Sequence, residues 1–279
     1  MYCPYDRKSQ IIKSRQKTTA VYKALDTPKI QKALGRFTYS DLAEIWADEQ
    51  YTDMRDELLQ LMMKFKLCYE IPHQPRTYIA PQLLSPNQPN YNWNNSDNLI
   101  LRYKYEFMPK GMLTRFIVEM HRSIDNELVW KDGVILIDDN AKAEVIEARY
   151  RNEINIRISG KIKKSLLEKV RHEFKKIHDS YERLKYQEYI PCNCDTCKGS
   201  QTPFSYSLDR LQERLNNDRQ EIECDISYEM INVRSLIDDA IGFSAAAILS
   251  QPREIHVHGD WIEGDKIGKD KIGRDKIGI

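Results

Sequence analysis

The stretch "LILRYKYEFMPKGMLTRFIVEMHRSI", residues 99–124, decides the fold class. Its first part alternates apolar and polar residues, as a strand with one buried face does. Its second part places Leu113, Phe116, Ile117, Met120 and Ile124 at three- and four-residue spacing, one face of a helix. Three strand-like runs follow, "GVILID" (133–138), "KAEVIEARY" (142–150) and "NEINIRISG" (152–160), separated by short polar turns in the pattern of an antiparallel meander. A long helix is then predicted over 161–184, with Ile162, Leu166, Val170, Ile177, Tyr181 and Leu184 as its apolar stripe. One sheet with two helices across a face makes this region α+β.

Working upstream, Ser40 is placed to cap a helix through "DLAEIW", and "DMRDELLQLMMKFK" (53–66) carries Met54, Leu58, Leu61, Met62 and Phe65 on one helical face. The strand-like "LCYEI", a Pro-containing turn "PHQPR" and "TYIAPQLL" come next. Helix, helix and hairpin is the order of a winged-helix unit, assigned to 38–90. Its second helix mixes Asp53, Asp56 and Glu57 with Arg55, Lys64 and Lys66, a poor surface for phosphates, so no nucleic-acid partner is expected. Residues 1–37 are basic and weakly patterned, a lead-in or the shortened front of the first unit, with one short helix ending near Gly35. The Pro- and Asn-rich "SPNQPNYNWNNSDN" (85–98) reads as a linker to a second subdomain at 99–190.

Downstream, 191–241 reads as a small Cys-rich extension. A helix is expected over 204–217, a strand in "QEIECDIS" with Ile222, Cys224 and Ile226 alternating, and a last helix in "INVRSLIDDAI". Residues 242–279 form a linker and a period-five tail, "GDWIE GDKIG KDKIG RDKIG". That period keeps Ile on no single face, so the tail is either disordered or ordered only on a partner or assembly. The expected fold class is thus α+β: a winged-helix-like N-terminal unit, an antiparallel-sheet domain with two packed helices, and a zinc-like Cys-rich extension.

With 43 Lys and Arg against 42 Asp and Glu in 279 residues, the long-range field is weak, and partners must be chosen by local surfaces. The N-terminus lacks a signal-peptide core and "GFSAAAILS" (242–250) is far below the ~20 residues that span a bilayer, so a cytoplasmic setting without membrane contact is expected. No phosphate-binding loop, nucleophile elbow or His-Glu-x-x-His occurs, which predicts no nucleotide cofactor and no enzyme activity. His172 and His178 are six residues apart, on different helix faces, and read as solvated or boundary residues.

The loop "IPCNCDTCKG" (190–199) places Cys192, Cys194 and Cys197 together, with Cys224 available as a fourth thiol. In a reducing compartment such clusters are metal ligands or catalytic thiols more often than disulfides. Structural zinc is the favoured reading; incidental free thiols and a redox or nucleophilic pair are the alternatives.

Taken together, "FTYSDLAEIW", "LLQLMMKFKLCYEI", "YIAPQLL", "ILRYKYEFMPKGMLTRFIVEMHRSI", "VWKDGVIL", "AEVIEARY", "INIRISG" and "IPCNCDTC" with "IECD" resemble the COR (C-terminal of Roc) module of bacterial Roco proteins, over about residues 20–241. The resemblance implies a non-catalytic dimerisation and coupling scaffold of a signalling system, acting as a homodimer. In full Roco proteins a Roc GTPase precedes this module, so a separate Roc domain is a possible partner in trans. The alternatives are a trans-acting regulator of such a GTPase and a winged-helix nucleic-acid-binding regulator. Tyr103, Tyr105, Phe107, Arg115, Phe116 and Trp130 are the interface candidates, most of them expected to serve the core and about one in three a partner chain.

Overall fold

The computed structural model describes residues 16–94, 98–198, 200 and 202–241, so the period-five tail lies outside the described residues. The N-terminal part is built from helices α1 (16–25) and α2 (Pro28–Lys32), strand β1 (Arg36–Thr38), helices α3 (Tyr39–Ile45), α4 (Glu49–Thr52) and α5 (Arg55–Lys64), and the hairpin β2 (Tyr69–Glu70) and β3 (Thr77–Ile79). Its sheet has the order β1-β3-β2. The cap of α3 is Thr38 instead of Ser40: the Asp41 amide donates to Thr38 Oγ1 at 3.2 Å and the Thr38 amide donates to Asp41 Oδ2 at 2.7 Å, a reciprocal capping box. Met54 precedes α5 as its cap position, and Phe65, expected on the apolar face, is exposed, while Leu59 joins Leu58 and Met62 inside. The stretch before β1, weakly patterned in sequence, supplies Ala20, Val21, Ala24, Leu25 and Ile30 to the same core. Small apolar residues among lysines hide that face. Gly35 stops α2 at φ +82°, where a Cβ would meet the Ala80 carbonyl at 2.5 Å.

The larger part is a seven-stranded antiparallel sheet made of β4 (Leu99–Tyr105), β5 (Ile124–Trp130), β6 (Gly133–Asp138), β7 (Ala141–Ala148), β8 (Glu153–Gly160), β9 (Tyr186–Pro191) and β10 (Ser205–Ser207), in the order β10-β9-β4-β8-β7-β6-β5. Helices α6 (Met112–Glu119), α7 (Lys163–Asp179), α8 (Leu208–Asn216) and α9 (Val233–Ile241) accompany it, and a two-stranded hairpin pairs β11 (Glu221–Glu223) with β12 (Met230–Asn232). Register sets the inner face: Leu101 opposes Ile156, Tyr103 opposes Ile154, Val145 opposes Ile156 and Leu136 opposes Ala143, all buried. The helix read through Ile124 ends at Glu119, and Ile124 instead opens β5. The extension at 191–241 shares both the sheet, through β10, and the core, through α8 and α9. Helix 204–217 starts only at Leu208, after β10, and Ile226 lies outside β11 and is half exposed.

In α7 the buried stripe is Leu166, Leu167, Val170, Phe174, Ile177 and His178, whereas Ile162 is exposed ahead of the helix. His178 therefore corrects the expectation of a solvated histidine. It is 3% exposed, its Nε2 lies 2.9 Å from the Tyr105 hydroxyl, and its ring sits against Tyr186 with centroids 3.9 Å apart. Burial pushes its pKa down to about 4, Asp179 pulling weakly the other way.

The segment read as a linker covers the opposite face of the sheet. Lys131 N–H donates to the Ser85 carbonyl at 2.9 Å, and Tyr91 stacks on Trp130. The Tyr91 hydroxyl donates to Glu144 Oε1 at 2.5 Å, and Arg157 donates to the same buried carboxylate at 2.5 and 2.7 Å while lying over Trp93. Glu144 is thus a buried charge with a planar, forked partner.

The β2–β3 hairpin connects the two parts through its alternation. Cys68, Tyr78 and Ala80 enter the N-terminal core, and Tyr69, Ile71 and Ile79 enter the core of the large sheet. A polar contact flanks this seam: Arg36 Nη1 and Gln74 Nε2 donate to Glu127 at 2.9 and 2.7 Å. Glu127 and Asn126 hold positive φ (59° and 44°) in a bulge of edge strand β5.

Two outcomes are expected from these contacts. Glu144→Ala, which removes the buried acceptor shared by Tyr91 and Arg157, should cost roughly 3 kcal/mol in urea unfolding, against about 1 kcal/mol for Tyr91→Phe; equal, near-zero effects would show that this carboxylate does not hold the segment. For His178 the unfolded chain binds more protons between about pH 6.5 and 4, so stability is full above 6.5 and falls as pH drops towards 4. The loss is on the order of 3 kcal/mol. His178→Phe should flatten that limb of the stability–pH curve, and an unchanged slope would contradict the assignment.

Candidate metal centre

Strand β9 delivers the Cys loop to the end of the sheet, where the Cys192 amide donates to the Phe204 carbonyl at 2.7 Å and ties the loop to the approach of β10. A tight turn follows: the amides of Cys197 and Lys198 donate to the Cys194 carbonyl at 3.1 and 2.8 Å, which folds Cys197 back beside Cys194. From the other side, β11 ends at Glu223, and the Cys224 amide bonds to the Glu229 carbonyl at 2.9 Å. The ligand atoms of Cys192, Cys194, Cys197 and Cys224 all lie within 4.8 Å of one another, and all four residues are buried.

The distances discriminate between chemistries. Sγ of Cys224 lies 3.7 Å from Cys194 Sγ and 3.8 Å from Cys197 Sγ. A disulfide needs about 2.05 Å, whereas the edge of a tetrahedron with 2.3 Å metal–sulfur bonds is about 3.8 Å. The thiols are therefore spaced for a shared ion. Burial works against ionising Cys224, yet the amides of Ser227 and Ile226 and the Ser227 hydroxyl outweigh it and bring that thiol down to about 6. Burial pushes Cys192 up and Cys197 up to about 11. A cation is what would let all four ionise together. An ion held by all four sulfurs would have no open position for water or substrate, so such a site would fix structure and not run a reaction.

The structure brings together the four cysteines that the sequence singles out, and adds supports that the sequence does not signal. Tyr206 OH lies 3.8 Å from Cys192 Sγ and donates to the Glu223 carbonyl at 3.1 Å, and Ser227 Oγ lies 3.4 Å from Cys194 Sγ. Such outer-shell partners carry no spacing signal. The interface candidates scatter: Tyr103, Tyr105, Phe116 and Trp130 are buried in the fold, Arg115 bonds Ser180 Oγ at 2.6 Å, and Phe107 is 74% exposed.

A sheet-and-helix module with a closed thiol centre is the class that this geometry defines. The family model for the C-terminal of Roc COR-B domain matches residues 96–239, and that for the COR-A domain matches 4–84. The chain therefore belongs to the COR family of Roco-type proteins, whose COR domains are non-catalytic. It is 39% identical over 127 residues to a Roc-COR-CHAT protease of Runella zeae, covering 44% of this chain and 13% of that protein. It is 25% identical over 158 residues to a probable serine/threonine-protein kinase, roco5, of Dictyostelium discoideum, covering 52% and 6%. A second probable kinase of that organism, qkgA, is 30% identical over 122 residues, covering 37% and 8%. The chain thus spans a small fraction of these much larger relatives. Among the described residues, no helix is long and apolar enough to cross a membrane.

The thiol cluster, read as a metal site, makes a direct prediction. Protein purified without added metal should carry close to one tightly held ion per chain, and Cys194→Ser should lose it. Structural sites of this type are worth ~10 kcal/mol or more, so proteolysis should then enter 190–226 while 99–160 keeps its protection. Metal-free wild-type protein with the same protection would end the idea.

Proposed function

We propose that this chain is a non-catalytic dimerisation and coupling scaffold of a Roco-type system, with structural zinc held by Cys192, Cys194, Cys197 and Cys224. The observation that carries the reading is the β2–β3 hairpin, whose alternate side chains enter two cores and so make the COR-A and COR-B parts move together. A displacement imposed on one part is then felt by the other. All-sulfur ligation favours zinc among common intracellular cations. The N-terminal order of helix, β1, two helices and hairpin, with β1 beside β3, supports the winged-helix-like reading of 38–90, here as a packing unit.

The proposed dimer pairs two copies through 99–190. With four of the six candidates inside the fold, the surface narrows to Phe107 with Tyr150, which is 83% exposed. Their loops are tied by the Tyr105 amide donating to the Asn152 carbonyl at 2.9 Å. Exposed aromatic pairs of this kind anchor interfaces well.

Light scattering at tens of micromolar protein should give twice the chain mass and no GTP turnover. Phe107→Asp should weaken association at least tenfold without changing the far-ultraviolet spectrum. A monomer with its metal bound would overturn the dimer. GTP hydrolysis that rises only on mixing with a separate Roc domain would favour the trans-acting regulator instead.

A further inference from the structure

On the sheet face turned away from α7, an open groove of about 360 Å³ is lined by Arg102, Lys104, Glu153, Tyr189, Phe204 and Ile226 together with neighbouring hydroxyl side chains. Arg102 is half buried there, and its guanidinium spends one hydrogen bond on Ser205 Oγ at 3.2 Å. That leaves further donors of the fork directed by the same planar group. Lys104 Nζ lies over the Tyr189 ring, 6.0 Å from its centroid. Two cations face one carboxylate, so the floor keeps a positive surplus. The rim is apolar: Pro203 and Phe204 line it, and Ile226 is 52% exposed. An acidic segment carrying a large apolar side chain is the chemical complement of such a groove.

The chain carries a segment of that composition. Residues 254–265, "EIHVHGDWIEGD", contain Glu254, Asp260, Glu263 and Asp265, no Lys or Arg, and the neighbouring pair Trp261 and Ile262. The pentads after it alternate Asp with Lys or Arg and have no such surplus. Helix α9 includes Ile241, which leaves the 18 residues 242–259 before Asp260. Extended, they reach up to roughly 60 Å, enough to pass from one sheet face to the other.

We propose that residues 254–265 dock in cis in the groove formed by Arg102, Lys104, Phe204 and Ile226, with Asp260 and Glu263 on the cations and Trp261 on the apolar rim. This goes beyond the scaffold reading and does not depend on it. It gives the groove a ligand class, acidic peptides with an aromatic anchor, and makes the tail the resident competitor for any partner segment of that class.

The test uses the full chain with Trp261→p-benzoylphenylalanine, irradiated and mapped by peptide mass spectrometry. Adducts should fall on residues 202–206 or on Ile226 within a single chain, with a yield constant over a tenfold range of protein concentration. Arg102→Glu with Lys104→Glu should cut that yield at least fivefold, and adding Asp260→Lys and Glu263→Lys should restore it. Because Arg102 is half buried, Lys104→Glu alone, at an exposed position, serves as a second variant that should at least halve the yield in a fold left intact. Adducts elsewhere, adducts only between chains, or a yield indifferent to both charge reversals would overturn the proposal.

Discussion

The alternation of the β2–β3 hairpin is the constraint on which the rest depends. A strand buries successive side chains on opposite faces, so a hairpin wedged between two cores must be apolar on both. Tyr78 and Ala80 point one way, Tyr69, Ile71 and Ile79 the other. Separating the two parts would return both sets of side chains to water. At roughly 25 cal/mol per Å² of apolar surface, even three such residues oppose separation by several kcal/mol. The Arg36–Glu127–Gln74 contact is exposed by comparison, and its role is to fix orientation more than to add affinity.

A second constraint organises the large sheet. Strand β4 is paired on both sides, by β8 through the meander and by β9, which arrives some 80 residues later. That late pairing brings the Cys loop beside the β11–β12 hairpin, so the four thiols meet only because the sheet has closed. Local turn geometry at Cys194 and Cys197 can form early; Cys224 can join only after the long-range contact is made.

Much of this was legible in the sequence. Alternation in 99–105 and in 153–160 reports one buried face directly, and the close cysteine spacing reports that the thiols converge. What was not legible depended on distant partners. Strand β9 has a mixed pattern because its neighbours supply the burial. Ile124, the first residue of β5, reads as part of a helical stripe because it continues the spacing of Leu113 and Met120. His178 was misread because a polar residue on an apolar stripe is solvated unless a partner such as the Tyr105 hydroxyl is waiting inside. Tyr103 and Phe116 were plausible contact residues by type, and burial by α7, unknowable from their own neighbourhood, decides otherwise. Glu144 gave no signal at all, because its burial comes from Tyr91 in a stretch that has the composition of a linker.

The central claim, that the hairpin makes two cores one mechanical unit, is tested most directly by native-state hydrogen exchange in low urea. The amides of β3 at Tyr78 and Ile79 and those of β4 at Leu101 and Tyr103 should share one opening free energy and one urea dependence, because neither core can open without the other. A hairpin that opens at several kcal/mol lower free energy while β4 stays protected would contradict the account.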